Sequence, residues 1–112
     1  IQVGRPALDP PELAMQDLWI IERVGRRLGL AWNYWRDEDG GGKRASQAAV
    51  ARVYEEMRVS MPPLAGVPWS RLVKADAVMT PAASEDDPGA AVVFIDRFPT
   101  ADGRATVVPT VF

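Results

Sequence analysis

The stretch DPPELAMQDLWIIERVGRRLG, residues 9–29, decides the fold class. Asp9 followed by Pro10, Pro11 and Glu12 has the spacing of a capping box, with prolines where early helical amides lack partners anyway. At about 3.6 residues per turn, Leu13, Ala14, Leu18, Ile20, Ile21, Val24 and Leu28 share one broad face. Glu22, Arg23, Arg26 and Arg27 lie opposite. The pattern predicts a helix over 10–28 with its apolar face toward the core, arginines at the negative end of its dipole, and Gly29 as a left-handed stop. Asp17 falls within the apolar face, where an unpaired carboxylate is costly to bury. It is expected to pair with an arginine or cap a turn, as an architectural group: no His or Lys stands at helical spacing to give it a catalytic role.

Outward from this helix, Ala31 to Trp35 is aromatic, and Arg36-Asp37-Glu38-Asp39 runs into the glycines Gly40 to Gly42, a flexible excursion. Ser46 is a natural N-cap for a second helix over 47–60, carrying Val50, Val53, Tyr54 and Met57 before Pro62-Pro63 stops it. Leu64 to Val73 predicts a single helical turn anchored by Trp69. Pro81, Glu85-Asp86-Asp87, Pro88 and Gly89 make the next stretch a surface connector. In the tail, Val92 to Ile95, Arg97 to Thr100 and Arg104 to Val108 flank Ala101-Asp102-Gly103, where Asp-Gly signals a hairpin, although Pro99 and Pro109 restrict the strands to edges. The expected architecture is α+β: 1–75 mainly helical, 76–91 a connector, and 92–112 a short β-hairpin, with Arg97, Phe98, Asp102 and Gly103 shaping the tail.

With 112 residues, 47% of them hydrophobic and 25% charged, the chain has material for one modest core. A net charge of -2 creates no field that would attract nucleic acid or an anionic membrane. No apolar run approaches the ~20 residues of a membrane span, and the start lacks the pattern of a signal peptide, so a cytoplasmic location is expected. Cysteine and histidine are both absent, which removes disulfides, thiolate nucleophiles, iron–sulfur ligation, the usual triads and the usual transition-metal sites. No catalytic or metal-binding residue is assigned. The opening at Ile1 and the apolar Val111 and Phe112 at the other end read as the bounds of an excised segment.

Several motifs have duller readings that outweigh the functional ones. Gly40-Gly41-Gly42-Lys43 lacks the spacing, the preceding strand and the following Ser or Thr of a phosphate loop. Asp37 and Asp39 resemble the start of a calcium loop, but Gly41 stands where a third oxygen ligand belongs. Glu55-Glu56 and Glu85-Asp86-Asp87 read as solvated carboxylates. Arg23, Arg26 and Arg27 near Trp32 and Trp35 could bind nucleic acid, yet helix-end electrostatics accounts for them more simply. Four tryptophans, Trp19, Trp32, Trp35 and Trp69, exceed what a small core encloses, so Trp19 and Trp69 are expected at a partner surface.

Three ordered stretches resemble the catalytic subunit of molybdopterin-dependent formate dehydrogenases. They are Ala7-Leu8-Asp9-Pro10-Pro11 leading to Asp17-Leu18-Trp19-Ile20-Ile21 and Arg27-Leu28-Gly29-Leu30; Pro63-Leu64-Ala65-Gly66-Val67 with Arg71-Leu72; and Asp96-Arg97-Phe98-Pro99-Thr100-Ala101-Asp102-Gly103-Arg104-Ala105. The chain departs from that family's pattern at Ala101, where proline is usual, and at Thr106 and Val107. The resemblance implies an internal segment of a large multidomain subunit, just before the C-terminal domain that encloses the cofactor. The parent would hold a molybdenum bis-pyranopterin guanine dinucleotide and an iron–sulfur cluster, oxidise formate, and pass electrons toward NAD through iron–sulfur and flavin partner subunits. None of the motif residues for those groups maps onto this segment, whose partners would be the remaining domains of the parent. Two other readings compete: a stand-alone interaction module docking through a Trp-rich surface, and a small enzyme using carboxylates alone.

Overall fold

A computed structural model describes residues 1–36, 42–43 and 46–109 of the chain. The excursion at Asp37 to Gly41, with its two rejected motifs, and the apolar end at Val111 and Phe112 lie outside the described residues. Three α-helices follow in order, α1 (Asp17–Arg27), α2 (Gln47–Ser60) and α3 (Trp69–Ala75), with a 3₁₀ turn at Pro62–Leu64 between the last two.

Local signals set the bounds of α2. The Ser46 hydroxyl accepts the Ala49 N–H at 3.0 Å, and Pro62-Pro63 leaves the chain only a tight turn to continue in. The Tyr54 ring on this helix is buried and its hydroxyl donates to the Val67 carbonyl at 2.6 Å. Around it gather Val67, Leu72, Val78 and Ala82, with Val3 and Trp69 packed against the cluster. The core therefore joins α2, the 3₁₀ turn, α3 and the segment beyond.

The connector is irregular in conformation but only partly a surface element, because Val78 and Ala82 are core residues. Arg71 of α3 holds it in place, donating to the carbonyls of Gly66 at 2.6 Å, Ser84 at 3.1 Å and Asp87 at 2.5 Å. The Gly66 N–H donates to the Ala82 carbonyl at 2.8 Å, and a Cβ on Gly66 would collide with the Ser84 backbone. On the far side, the Val3 N–H donates to the Asp76 carbonyl at 2.9 Å and the Val78 N–H to the Ile1 carbonyl at 2.8 Å, so the first residues run antiparallel to 76–78.

α1 differs from expectation in length and in facing. It begins at Asp17 rather than at residue 10, because Pro11 disfavours the helical conformation at Pro10 and Glu12 adopts a positive φ of 39°. Its C-terminus closes as expected at Gly29 (φ 89°), with Leu30 N–H donating to the Gly25 carbonyl and Gly29 N–H to that of Arg26, the paired bonds of a Schellman cap. Its buried residues are Glu22 and Gly25, while Ile20, Ile21, Val24 and Leu28 are exposed. The face read as the core face points outward.

The α+β expectation is overturned. Among the described residues there is no β-strand, only an isolated bridge between Gln2 and Ala77, and the tail forms no hairpin ladder. The turn itself is present, with Phe98 N–H donating to the Gly103 carbonyl at 3.0 Å and Gly103 at φ 74°. Strands do not propagate from it. Pro99 has no N–H to give, Phe94 sits at φ 58° off the pleat, and Val92 to Ile95, Val107 and Val108 are exposed with no layer to pack on. The radius of gyration is 18.2 Å, against about 13 Å for a compact domain of this length.

Candidate functional site

The site that the fold assembles is a surface centred on α1 and the aromatic segment after it. Gly25 lets the Trp32 ring lie directly on the helix, since a Cβ there would strike the indole. That approach brings Trp35 to the buried side of α1, where its backbone N–H donates to the Glu22 carboxylate at 2.6 Å. Glu22 is 2% exposed, and its other oxygen lies 3.6 Å from the Arg26 guanidinium. The carboxylate is thus built into the structure, balanced by one N–H and one cation. Arg52 of α2 donates to the Tyr34 carbonyl at 2.8 Å and ties the aromatic segment to the second helix.

Between α1 and α2 this leaves a cleft of about 370 Å³ lined by Leu18, Ile21, Trp32, Tyr34, Val53 and Met57, with Glu22, Glu56 and Ser60 at its edges. The Tyr34 hydroxyl donates to the Glu56 carboxylate. That bond, helped by partial burial and the negative charge of Glu56, raises the Tyr34 pKa and keeps the phenol neutral. The cleft can take an apolar group. On the other flank of α1, Trp19, Ile20, Arg23, Val24, Arg26 and Arg27 border open space. All six belong to one helix, so this is an uncovered face rather than a cavity.

The residues singled out from the sequence scatter. Asp17 is exposed at the first position of α1, where its charge suits the helix N-terminus; it is not buried among apolar groups. Trp19 is half-buried beneath the Arg23 guanidinium, 5.1 Å from the ring centre. Trp69 is half-buried against Tyr54, with ring centres 5.6 Å apart. Arg97 lies along Gly103, Phe98 stacks on Phe94 at 5.2 Å, and Asp102 accepts the Arg104 N–H at 3.0 Å and the Thr100 hydroxyl at 3.1 Å. These last four form one exposed turn, remote in kind from the α1 surface. None of the four tryptophans is fully exposed, and the uncovered apolar groups are aliphatic side chains together with Phe94 and Phe98.

The carboxylates with resolved shifts all favour their charged forms. Burial works against Glu55, but the Trp69 N–H and the Arg58 guanidinium outweigh it and hold its pKa below the ordinary value. Backbone N–H groups of Ala83 and Gly89 lower Asp87, and that of Arg104 lowers Asp102. A general acid needs the opposite shift, which none of these three carboxylates has. Sequence reasoning missed Glu22 and Arg71; a glycine inside α1 followed by a tryptophan seven residues later was the available signal for the first.

No group of three or more His, Cys, Asp or Glu among the described residues could hold a metal ion, and the whole chain has no Cys or His. The chain's own donor set therefore does not fit an iron–sulfur cluster or a thiolate-ligated molybdenum. No helix among the described residues is long and apolar enough to cross a membrane.

Comparison with known proteins gives a class and then particular relatives. No family model matches the chain. It is nevertheless similar to alpha subunits of formate dehydrogenases. It is 29% identical over 111 residues to the F420-dependent formate dehydrogenase subunit alpha of Methanocaldococcus jannaschii, covering 97% of this chain and 14% of that protein. It is 23% identical over 109 residues to the F420-dependent formate dehydrogenase 2 subunit alpha of Methanococcus maripaludis, with the same coverage of 97% and 14%. The chain thus spans about one seventh of the length of the curated relatives it matches.

Proposed function

We propose that this chain is a structural segment of a formate dehydrogenase catalytic subunit, a cytoplasmic molybdenum bis-pyranopterin oxidoreductase. In the reaction, formate gives up two electrons and one proton and leaves as carbon dioxide; the electrons pass to iron–sulfur clusters and on to a soluble acceptor. The observation that carries this reading is the alignment of nearly the whole chain with two relatives, both named as formate dehydrogenase alpha subunits. The names of both favour F420 as acceptor over NAD. The metal and clusters would be held by parts of the subunit beyond this chain, since its own donors do not fit them. The segment's contribution is architectural: an extended body with a small core and a large uncovered apolar helix face supports neighbouring domains of the subunit and accompanying electron-transfer subunits.

The test is to purify the full-length polypeptide containing this sequence from its native cells and measure molybdenum, iron and formate oxidation with F420 and with NAD in turn. Molybdenum, iron and formate-dependent reduction of F420 are expected. A polypeptide that carries no molybdenum and oxidises no formate would overturn the reading; reduction of NAD alone would overturn the choice of acceptor.

A further inference from the structure

The cleft between α1 and α2 has apolar walls and charges of one sign. Leu18, Val53 and Met57 line it, Trp32 and Tyr34 add two ring systems with centres 6.2 Å apart and planes tilted by 50°, and the carboxylates that reach it are Glu22 and Glu56. Among the described residues no lysine or arginine lines it. Glu22 has the Arg26 guanidinium at 3.6 Å, but the Glu56 carboxylate receives only the neutral Tyr34 hydroxyl. The basic residues of α2 are engaged elsewhere: Arg52 donates to the Tyr34 carbonyl at 2.8 Å, and Arg58 pairs with Glu55 at 2.7 Å. Nor does the dipole of α2 offset Glu56, which stands in the C-terminal half of the helix, toward its negative end. The Tyr34 hydroxyl registers the result. Beyond the Glu56 hydrogen bond and partial burial, the charges of Glu56 and Glu22 both raise its pKa, and no cation acts against them.

We propose that this cleft is a socket for one lysine or arginine side chain carried by another part of the parent polypeptide, its alkyl stem against Leu18, Val53 and Met57 and its cationic head against the Trp32 and Tyr34 rings and the Glu56 carboxylate. The inference rests on the reading that the chain works inside a larger subunit, since the relatives extend far beyond the stretch it matches. Charge complementarity selects the occupant: an acidic group would meet two carboxylates, and a wholly apolar one would cover Glu56 and leave its charge without a counter-ion. The open rim selects its source. Ile21 is 57% exposed and Met57 40% exposed there, whereas a site for a free small molecule encloses about 70–90% of its ligand. A side chain delivered on a backbone brings its own cover and needs no such enclosure.

The test uses the full-length polypeptide with a photoreactive benzoylphenylalanine in place of Ser60, at the edge of the cleft, irradiated, digested and mapped by mass spectrometry. The expected product is one intramolecular cross-link to a segment with Lys or Arg within a turn of the attachment point. Hydroxyl-radical labelling then reads occupancy. In the unsubstituted polypeptide Met57 should be protected; Glu56→Gln and replacement of the mapped base by methionine should each raise its labelling several-fold, and the two changes together should raise it no further than either alone. No cross-link, a cross-linked dimer, a target segment without a base, or additive effects of the two changes would each overturn the proposal. So would an organic amine released from the polypeptide on denaturation, which would make the occupant a free molecule. Labelling of Met57 at the rate of an exposed methionine in the unsubstituted polypeptide would overturn it without relying on any variant that has to fold. Metal content keeps the two readings apart. Molybdenum and formate oxidation with an exposed Met57 remove the socket and leave the enzyme; a Met57 protected by the mapped base, without molybdenum and without formate oxidation, does the reverse.

Discussion

The Glu55 carboxylate of α2 accepts the backbone N–H of Trp69, the first residue of α3, at 2.6 Å, so one helix caps the start of the next. Pro68, at the ordinary capping position, has no side chain able to do this. The same carboxylate receives the Arg58 guanidinium at 2.7 Å. Removing the acceptor by Glu55→Ala should lower stability by about 1 kcal/mol, with Gln, which can still accept the N–H, losing less. Chemical denaturation of the three proteins in parallel measures this.

Acidity should reveal the same group. Its pKa is lowered in the fold, so its stabilising contribution is complete above the unfolded glutamate value of about 4.3 and is lost as pH falls through the lower folded value. Glu55→Gln is therefore expected to flatten the acid limb of a stability-against-pH curve. An unchanged limb would show that the carboxylate does not carry this charge in the fold.

Tyr54→Phe removes the hydroxyl that donates to the Val67 carbonyl inside the core. The ring still fills its place, so the loss is that of a buried hydrogen bond, about 1–3 kcal/mol with the carbonyl left without this donor. Thermal unfolding should show a lower midpoint with a cooperative transition retained.

Gly66→Ala would drive a methyl group into the Ser84 backbone, which cannot rotate away as a side chain can. A loss of more than about 2 kcal/mol is expected. Gly4→Ala, where nothing lies within 4 Å, is the matched control and should stay within about 0.5 kcal/mol of the parent.

Glu22→Leu should strand the Trp35 N–H on the buried side of α1 and lower stability by about 1–3 kcal/mol, whereas Glu22→Gln keeps an acceptor in place. Near-ultraviolet circular dichroism, which reports the packing of Trp32 and Trp35, should change for Leu more than for Gln.

What the sequence made legible was what local chemistry decides. Ser46 and Pro62-Pro63 bound α2 at the expected residues, Gly29 closes α1, and Gly103 takes the left-handed turn that an Asp-Gly pair asks for. Pairing and facing are not local. Periodicity sorts Ile20, Val24 and Leu28 onto one side of α1 without saying which side is covered; Trp32 against Gly25 settled that the other way. Strand-forming residues at Val92 to Ile95 likewise need a layer to pack on, and none is present. Of the candidate surface, the arginines and Trp19 are visible in the sequence, while Glu22, placed only opposite the apolar face, gives no sign of the N–H that meets it.

The antiparallel contact between the first residues and 76–78 ties together positions such as Arg5 and Asp76, 71 residues apart. Closing so long a loop carries an entropic penalty that the nearer contacts among α2, α3 and the connector do not meet. Assembly should therefore run from the middle of the chain outward, with the Val3 and Val78 amides gaining protection after that of Leu72 in pulsed hydrogen exchange. Simultaneous protection would place this contact in the folding nucleus instead. An order of this kind means that a ribosome has to deliver Val78 before residues 1–3, made some seventy residues earlier, can find their place.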